Sequence, residues 1–356
     1  MLYIVFYICF YFLLSSCATV VSPSGGEKDI FPPKILSSYP KNESVNFNEN
    51  QIIINFDEYI QIKNRSEINF FPEINPRPTI KTKGRSIVIN LSSGLRPNTT
   101  HIINFNKSIV DLNESNPLND FEYVFSTGSF IDTCSLSGSI FNLKSNIKTT
   151  DAVVGLFKNG LAINYDSLVR KTSANYFVYS DENGNYNFSN LKQGDYLLCA
   201  FQDLNLSNKY EQPEPVSMPV EINLDKNQII HIPLFIEDEF LEKNPLSCLY
   251  KQKKEDSLNT GGVNLNFEKE IYEENKYVGE LILGDSTVFC FNINSKITPI
   301  DSLLVGIYSF RMFEDLNTNQ IWDSGNIKKL INPEKIIFFQ EQIEIKKDWE
   351  IDVFIK

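Results

Sequence analysis

The sequence predicts an all-β chain of tandem β-sandwiches, and three observations carry that prediction. Short apolar runs alternate with period two, as in "IIINFDEYI", "SIVINL" and "FEYVFST". Turn clusters such as "PRP", "KTKGR" and "SSGLRPNTT" separate them. No stretch beyond the N-terminal segment carries a long helical apolar period. Alternation puts every second side chain on one face, the pattern of half-buried strands. Many short strands with regular turn signals build sandwiches.

The N-terminal segment comes first. Residues Leu2 to Leu14 form an uncharged apolar run with no Lys or Arg before it. It is shorter than the roughly 20 residues a membrane-spanning helix needs. It reads as a signal-peptide core over 1–16. Leu14-Ser15-Ser16-Cys17 follows and resembles a bacterial lipobox. The resemblance implies cleavage before Cys17 and acylation of its thiol and new amino group, the attached lipid being palmitate or a similar chain. Several acyl chains, each buried methylene contributing ~0.8 kcal/mol, would anchor the protein to a membrane. Ala18, rather than Asp, follows the cysteine, which by analogy points to the outer membrane. The periplasmic or cell-surface face is undecided. Residues 17–30 read as the lipidated cysteine and a small, polar tether.

The first folded unit is read over 31–128. Ile52, Ile54 and Phe56 share one face, as do Ile87, Ile89 and Leu91, and Phe121, Tyr123 and Phe125. "PPKILSSYPKNESVNF", "LRPNTTHIINFNKSIVDLNESNPL" and "YVFSTG" together resemble the bacterial Ig-like domain first described in S-layer proteins, in the version found in Bacteroidetes lipoproteins. That family is a structural module, so the resemblance implies no catalytic site. His101 stands where the family usually carries Tyr. It reads as a packed histidine.

The second unit is read over 131–236. "YSDENGNYNFSNLKQGDYLLCAFQDLN" gives a turn, a strand, a Gly-Asp turn and a second strand. This resembles the Cna protein B-type or carboxypeptidase-regulatory fold, a transthyretin-like sandwich. Residues 237–260 carry dense mixed charge and read as a linker. The third unit, 261–356, ends on "DWEIDVFIK", with Trp349, Ile351, Val353 and Ile355 on one face. Its centre aligns with the second unit without a gap. Gly194 and Tyr196 match Gly306 and Tyr308; Phe201, Asp203, Leu204 and Asn205 match Phe313, Asp315, Leu316 and Asn317; Tyr210 and Glu211 match Trp322 and Asp323. A constant offset predicts a duplicated, shorter sandwich.

Two acidic loops sit at matched places. One offers Asp203, Asn205, Ser207, Glu211 and Glu214. The other offers Asp315, Asn317, Asn319 and Asp323. Calcium takes oxygen ligands at alternate loop positions, with a left-handed residue at position 6 and a closing Glu at 12. The first loop keeps the closing glutamate. The second has Gln320 at position 6 and Asn326 at 12. Calcium is therefore the one cofactor the sequence raises, and Asx turns in a duplicated hairpin are the competing account. Tyr210 and Trp322, which follow these turns, are the candidate glycan-binding aromatics.

The cysteines after Cys17, namely Cys134, Cys199, Cys248 and Cys290, show no metal-type spacing, and their disulfide state is open. Cys199 and Cys290 lie in apolar runs and read as buried thiols as readily as bridges. A net charge of −12 argues against a nucleic-acid surface. Two histidines, His101 and His231, leave little for acid–base chemistry. The expected function is a non-enzymatic, membrane-anchored envelope lipoprotein acting as a binding or scaffolding module for an envelope protein. The alternative is a glycan-binding accessory of a polysaccharide-capture system.

Overall fold

The computed structural model describes residues 28–356 except 92–93, 120, 159–173, 206, 208, 238–258, 275 and 285. The first sandwich contains β1 (Ile35–Tyr39), β2 (Gln51–Phe56), β3 (Ile60–Ile62), β4 (Asn69–Phe71), β5 (Thr79–Lys83), β6 (Ser86–Asn90), β7 (Thr100–Asn104), β8 (Ile109–Asp111) and β9 (Glu122–Ser126). One sheet runs β1-β2-β6-β5, the other β4-β7-β9, and β3-β8 form a ribbon. Ile52 pairs with Ile89 and Ile54 with Ile87, so alternation aims all four inward. They meet Ile103, Tyr123 and Phe125 from the facing sheet.

The β4-β7-β9 sheet is buried on its other face too. Phe71, Ile102 and Val124 form one register row across it. That row belongs to the core of the second sandwich, beside Leu136, Tyr176 and Leu198. Phe71 meets Phe177 edge-on at 5.2 Å. One sheet thus serves two cores. His101, on the inner face, is 1% exposed and stacks on Phe125 at 5.2 Å. It is a packed histidine, as expected.

The second sandwich contains β10 (Cys134–Asn142), β11 (Ala152–Lys158), β12 (Tyr176–Tyr179), β13 (Asn185–Leu191), β14 (Gly194–Gln202), β15 (Val220–Leu224), β16 (Gln228–Ile229) and β17 (Ile232–Leu234). β10 pairs antiparallel with β13 and parallel with β16 and β17. The other sheet runs β12-β11-β14-β15. The predicted turn at 181–184 forms: the Asp181 carboxylate accepts the Asn183 and Asn185 N–H groups, and Gly184 takes φ +69°. Gly138 lets a chain segment cross closely. A Cβ there would lie 1.7 Å from the Ile230 carbonyl oxygen.

The third sandwich contains β18 (Thr260–Phe267), a short helix (Lys269–Glu273), β19 (Tyr277–Leu283), β20 (Ser286–Ile293), β21 (Ile297–Leu304), β22 (Gly306–Glu314), β23 (Ile336–Phe338), β24 (Ile343–Ile345) and β25 (Glu350–Ile355). β18 pairs antiparallel with β21 and parallel with β25. β19 lies between β20 and β22. The connectivity of the second sandwich is repeated: β18 stands for β10, β21 for β13 and β25 for β16–β17. The Tyr196 hydroxyl donates to the Lys192 carbonyl at 2.7 Å, and the Tyr308 hydroxyl to the Leu304 carbonyl at 2.8 Å.

One expectation needs correction here. Trp349 is 63% exposed, because it sits in the turn before β25, where its N–H donates to the Lys346 carbonyl. The inward face begins at Ile351. Of the cysteines whose state the sequence leaves open, Cys290 is disulfide-bonded. Cys134 and Cys199 are free and buried. Burial pushes the Cys199 thiol up to about 12. Cys17 and Cys248 lie outside the described residues.

Phe71→Ala should lower unfolding stability by about 3–5 kcal/mol, the usual cost of emptying a buried phenylalanine site. A urea titration reads it. His101 supplies a pH test. Burial holds its pKa below the usual 6.5. As pH falls through 6.5 the unfolded chain takes a proton that the native chain refuses, so stability is lost. His101→Phe should flatten the decline in melting temperature between neutral and mildly acidic pH.

Candidate functional site

The two acidic turns follow β14 and β22, the corresponding central strands. Their opening hydrogen bonds correspond at an offset of 112 residues. Asp203 Oδ1 accepts the Ser207 N–H at 2.9 Å, and Asp315 Oδ1 accepts the Asn319 N–H at 3.1 Å. Asn205 donates to Glu211 at 2.8 Å, and Asn317 to Asp323 at 2.5 Å. Glu214 accepts the N–H groups of Leu204 and Glu211, each at 2.9 Å. The matching acceptor in the third sandwich is Glu334, not Asn326. It takes the N–H groups of Leu316 at 2.8 Å and Asp323 at 3.0 Å.

Glu334 stands 120 residues after Glu214, eight beyond the offset. The new spacing then holds: Gln202 N–H donates to the Pro215 carbonyl, and Glu314 N–H to the Lys335 carbonyl. The third sandwich therefore carries an eight-residue insertion between Asp323 and Glu334. Gln320 takes φ +60°, the left-handed state wanted at that position. Burial, then the nearby Asp323 and Asp315 carboxylates, push the Glu334 pKa above the usual 4.5, while its two N–H donors pull the other way. Both oxygens of each closing glutamate accept backbone N–H groups. Among the described residues, no group of three His, Cys, Asp or Glu is placed to hold a metal.

The insertion reaches back to the second sandwich. Ser324 Oγ donates to the Ile236 carbonyl. Ile327 enters an apolar cluster with Cys199, Phe201, Tyr210 and Val216. Its N–H donates to Glu237 Oε1 at 3.0 Å. The other carboxylate oxygen accepts the Tyr210 hydroxyl at 2.9 Å and Gln212 Nε2 at 2.7 Å. Glu237, 1% exposed, thus clamps the loop of one sandwich to the insertion of the next. Nearby, buried Arg311 bonds Glu280 through Nε at 2.5 Å and the Lys144 carbonyl through its guanidinium. This tie also crosses the junction.

The glycan candidates lie in this junction. Tyr210 is 2% exposed, so it presents no face to a sugar. Trp322 is half-buried against the same cluster, donates to the Glu334 carbonyl at 2.9 Å and lies under Lys144 at 5.6 Å. A stacking platform needs an open aromatic face.

Sequence reasoning missed Glu334 and Glu237, because nothing in their spacing announces them. It also missed that Ser139 Oγ lies 2.8 Å from His231 Nδ1. A nucleophile–base pair needs a third group to orient the base. Among the described residues, none is bonded to His231. The contact ties the segment between β16 and β17 to β10.

Residues 29–127 match the profile of the bacterial Ig-like domain, which covers the first sandwich. No curated protein matches the chain. Among solved structures, the chain is similar to GBS52, the minor pilin of Streptococcus agalactiae, at 12% identity over 63% of this chain and 94% of that one, with a TM-score of 0.23. It is similar to the Bacillus anthracis TIE protein at 12% identity over 94% and 59% of the two chains, with a TM-score of 0.21. It is also similar to a DUF3823 family protein from Bacteroides uniformis at 8% identity over 60% and 99%, with a TM-score of 0.21.

Glu334→Ala removes the acceptor of two part-buried N–H groups and should lower stability by about 1 kcal/mol per group. Glu334→Gln keeps one acceptor and should lose about half as much by the same denaturant titration. Calcium stays a proposal for the acidic turns, decided by thermal melts in chelator and in millimolar calcium. A raised melting temperature with calcium supports it, since a ligand of the native state stabilises that state. Coincident melts contradict it.

Proposed function

We propose that this chain is a membrane-anchored envelope lipoprotein that works as a non-enzymatic scaffolding or binding module. Anchoring is read from Leu14-Ser15-Ser16-Cys17 behind the apolar run, with the outer membrane as destination because Ala18 follows. The observation that carries the scaffolding role is the continuity of burial between consecutive sandwiches. Phe71, Ile102 and Val124 of the first complete the core of the second. Ile327 of the third completes a cluster of the second. The first interface is apolar and the second adds buried hydrogen bonds, and both hold units in fixed relative positions, whereas ordinary interdomain contacts allow motion. The partner is another envelope component, met at loops that a rigid framework holds out.

In cells fed an alkyne analogue of palmitate, the wild-type chain should take up the label and sediment with outer membranes. Cys17→Ala should do neither. A variant that still carries the label would overturn the anchoring. Crosslinking in intact envelopes should then capture one partner reproducibly with the wild type, and none with the unanchored variant.

A further inference from the structure

The seam between the first and second sandwiches holds a cavity whose charge opposes that of the whole chain. Arg96 lines it from the first sandwich, and Lys158 and Lys192 from the second. Asp132 is the one carboxylate in its wall. Three cations against one anion is a local surplus on a chain of net charge −12. Among the described residues, none of the three cations forms an ion pair.

Each of these cations projects from backbone that a side chain pins. The Arg96 carbonyl accepts the Thr127 hydroxyl at 2.7 Å. The Lys158 N–H donates to Asn175 Oδ1 at 2.7 Å. The Lys192 carbonyl accepts the Tyr196 hydroxyl at 2.7 Å. The two walls are locked together as well. The Asp132 N–H donates to the Thr100 hydroxyl across the seam at 2.9 Å, and the ring of Tyr176, a lining residue, packs on Phe71 at 5.9 Å. The three cations thus line one cavity, on backbone that is fixed before any ligand arrives. Ligand sites favour such interfaces between units.

We infer that this seam binds an oxyanion that also carries hydroxyl groups, of the uronic-acid class. A planar guanidinium and two ammonium groups recognise a carboxylate, with the fork of Arg96 setting its orientation. Asp132 is an acceptor, so it takes a ligand hydroxyl rather than a second anionic oxygen. The pairing of charge with a hydroxyl acceptor separates this ligand from neutral sugars and from carboxylates that carry no hydroxyl.

Calorimetric titration of the full chain with glucuronate, glucose and inorganic phosphate tests it. Glucuronate should bind in the millimolar range or tighter, glucose should give no heat, and phosphate should bind more weakly than glucuronate. Arg96→Ala and Lys192→Ala, both at exposed side chains, should each weaken glucuronate about tenfold. Lys81→Ala, on the exposed edge strand β5, should leave it unchanged. Failure of the wild type to bind glucuronate overturns the inference, as does equal affinity in both pocket variants. Phosphate binding tighter than glucuronate overturns the uronate assignment.

Discussion

The β4-β7-β9 sheet has no solvent face, and the arrangement of the first two sandwiches depends on that. A strand's side chains alternate, so one set fills the first core and the other set must find a second one. Ile103, Tyr123 and Phe125 point into the first. Phe71, Ile102 and Val124, one step away in register, point into the second. Exposing that row would return three large apolar side chains to water. The seam is therefore fixed by the same alternation that builds the strands, and Arg96, Thr100 and Tyr176 inherit their positions from it.

The junction between the second and third sandwiches has a different origin. The two share a connectivity, a pinned tyrosine after a glycine, and a closed acidic turn. Duplication alone would leave the copies equivalent and unattached. The eight-residue insertion breaks the equivalence. It moves the closing glutamate to Glu334 and sends Ile327 into its neighbour's apolar cluster. Glu237 then receives donors from both sides, so its buried carboxylate is fully used. A buried carboxylate left with fewer partners would be costly.

Much of this was legible. Period-two runs gave the strands and the inward faces of β2 and β6. A constant offset gave the repeat, which the connectivity of the strands repeats in turn. The doubly buried sheet was harder. "FEYVFST" places Phe121, Tyr123 and Phe125 on one face, and the single Val124 on the other is a weak apolar signal beside them. A near-continuous apolar run is the signal of burial on both faces, and "HIINF" beside "YVFST" carried it. Glu334 was illegible for another reason. Position 12 of the loop is Asn326, and an insertion displaces the closing glutamate to Glu334 without changing the bonds it makes. Tyr210 and Trp322 looked like surface aromatics because sequence shows a side chain's chemistry and not its burial.

The central claim is that consecutive sandwiches are mechanically joined through common buried layers. Hydrogen exchange followed by mass spectrometry, across increasing urea, tests this most directly. The account predicts that peptides from β7 and β9 and peptides from β10 and β14 lose protection together, as one cooperative unit. Loss of protection in β7 and β9 at a urea concentration where β10 and β14 remain fully protected would contradict it.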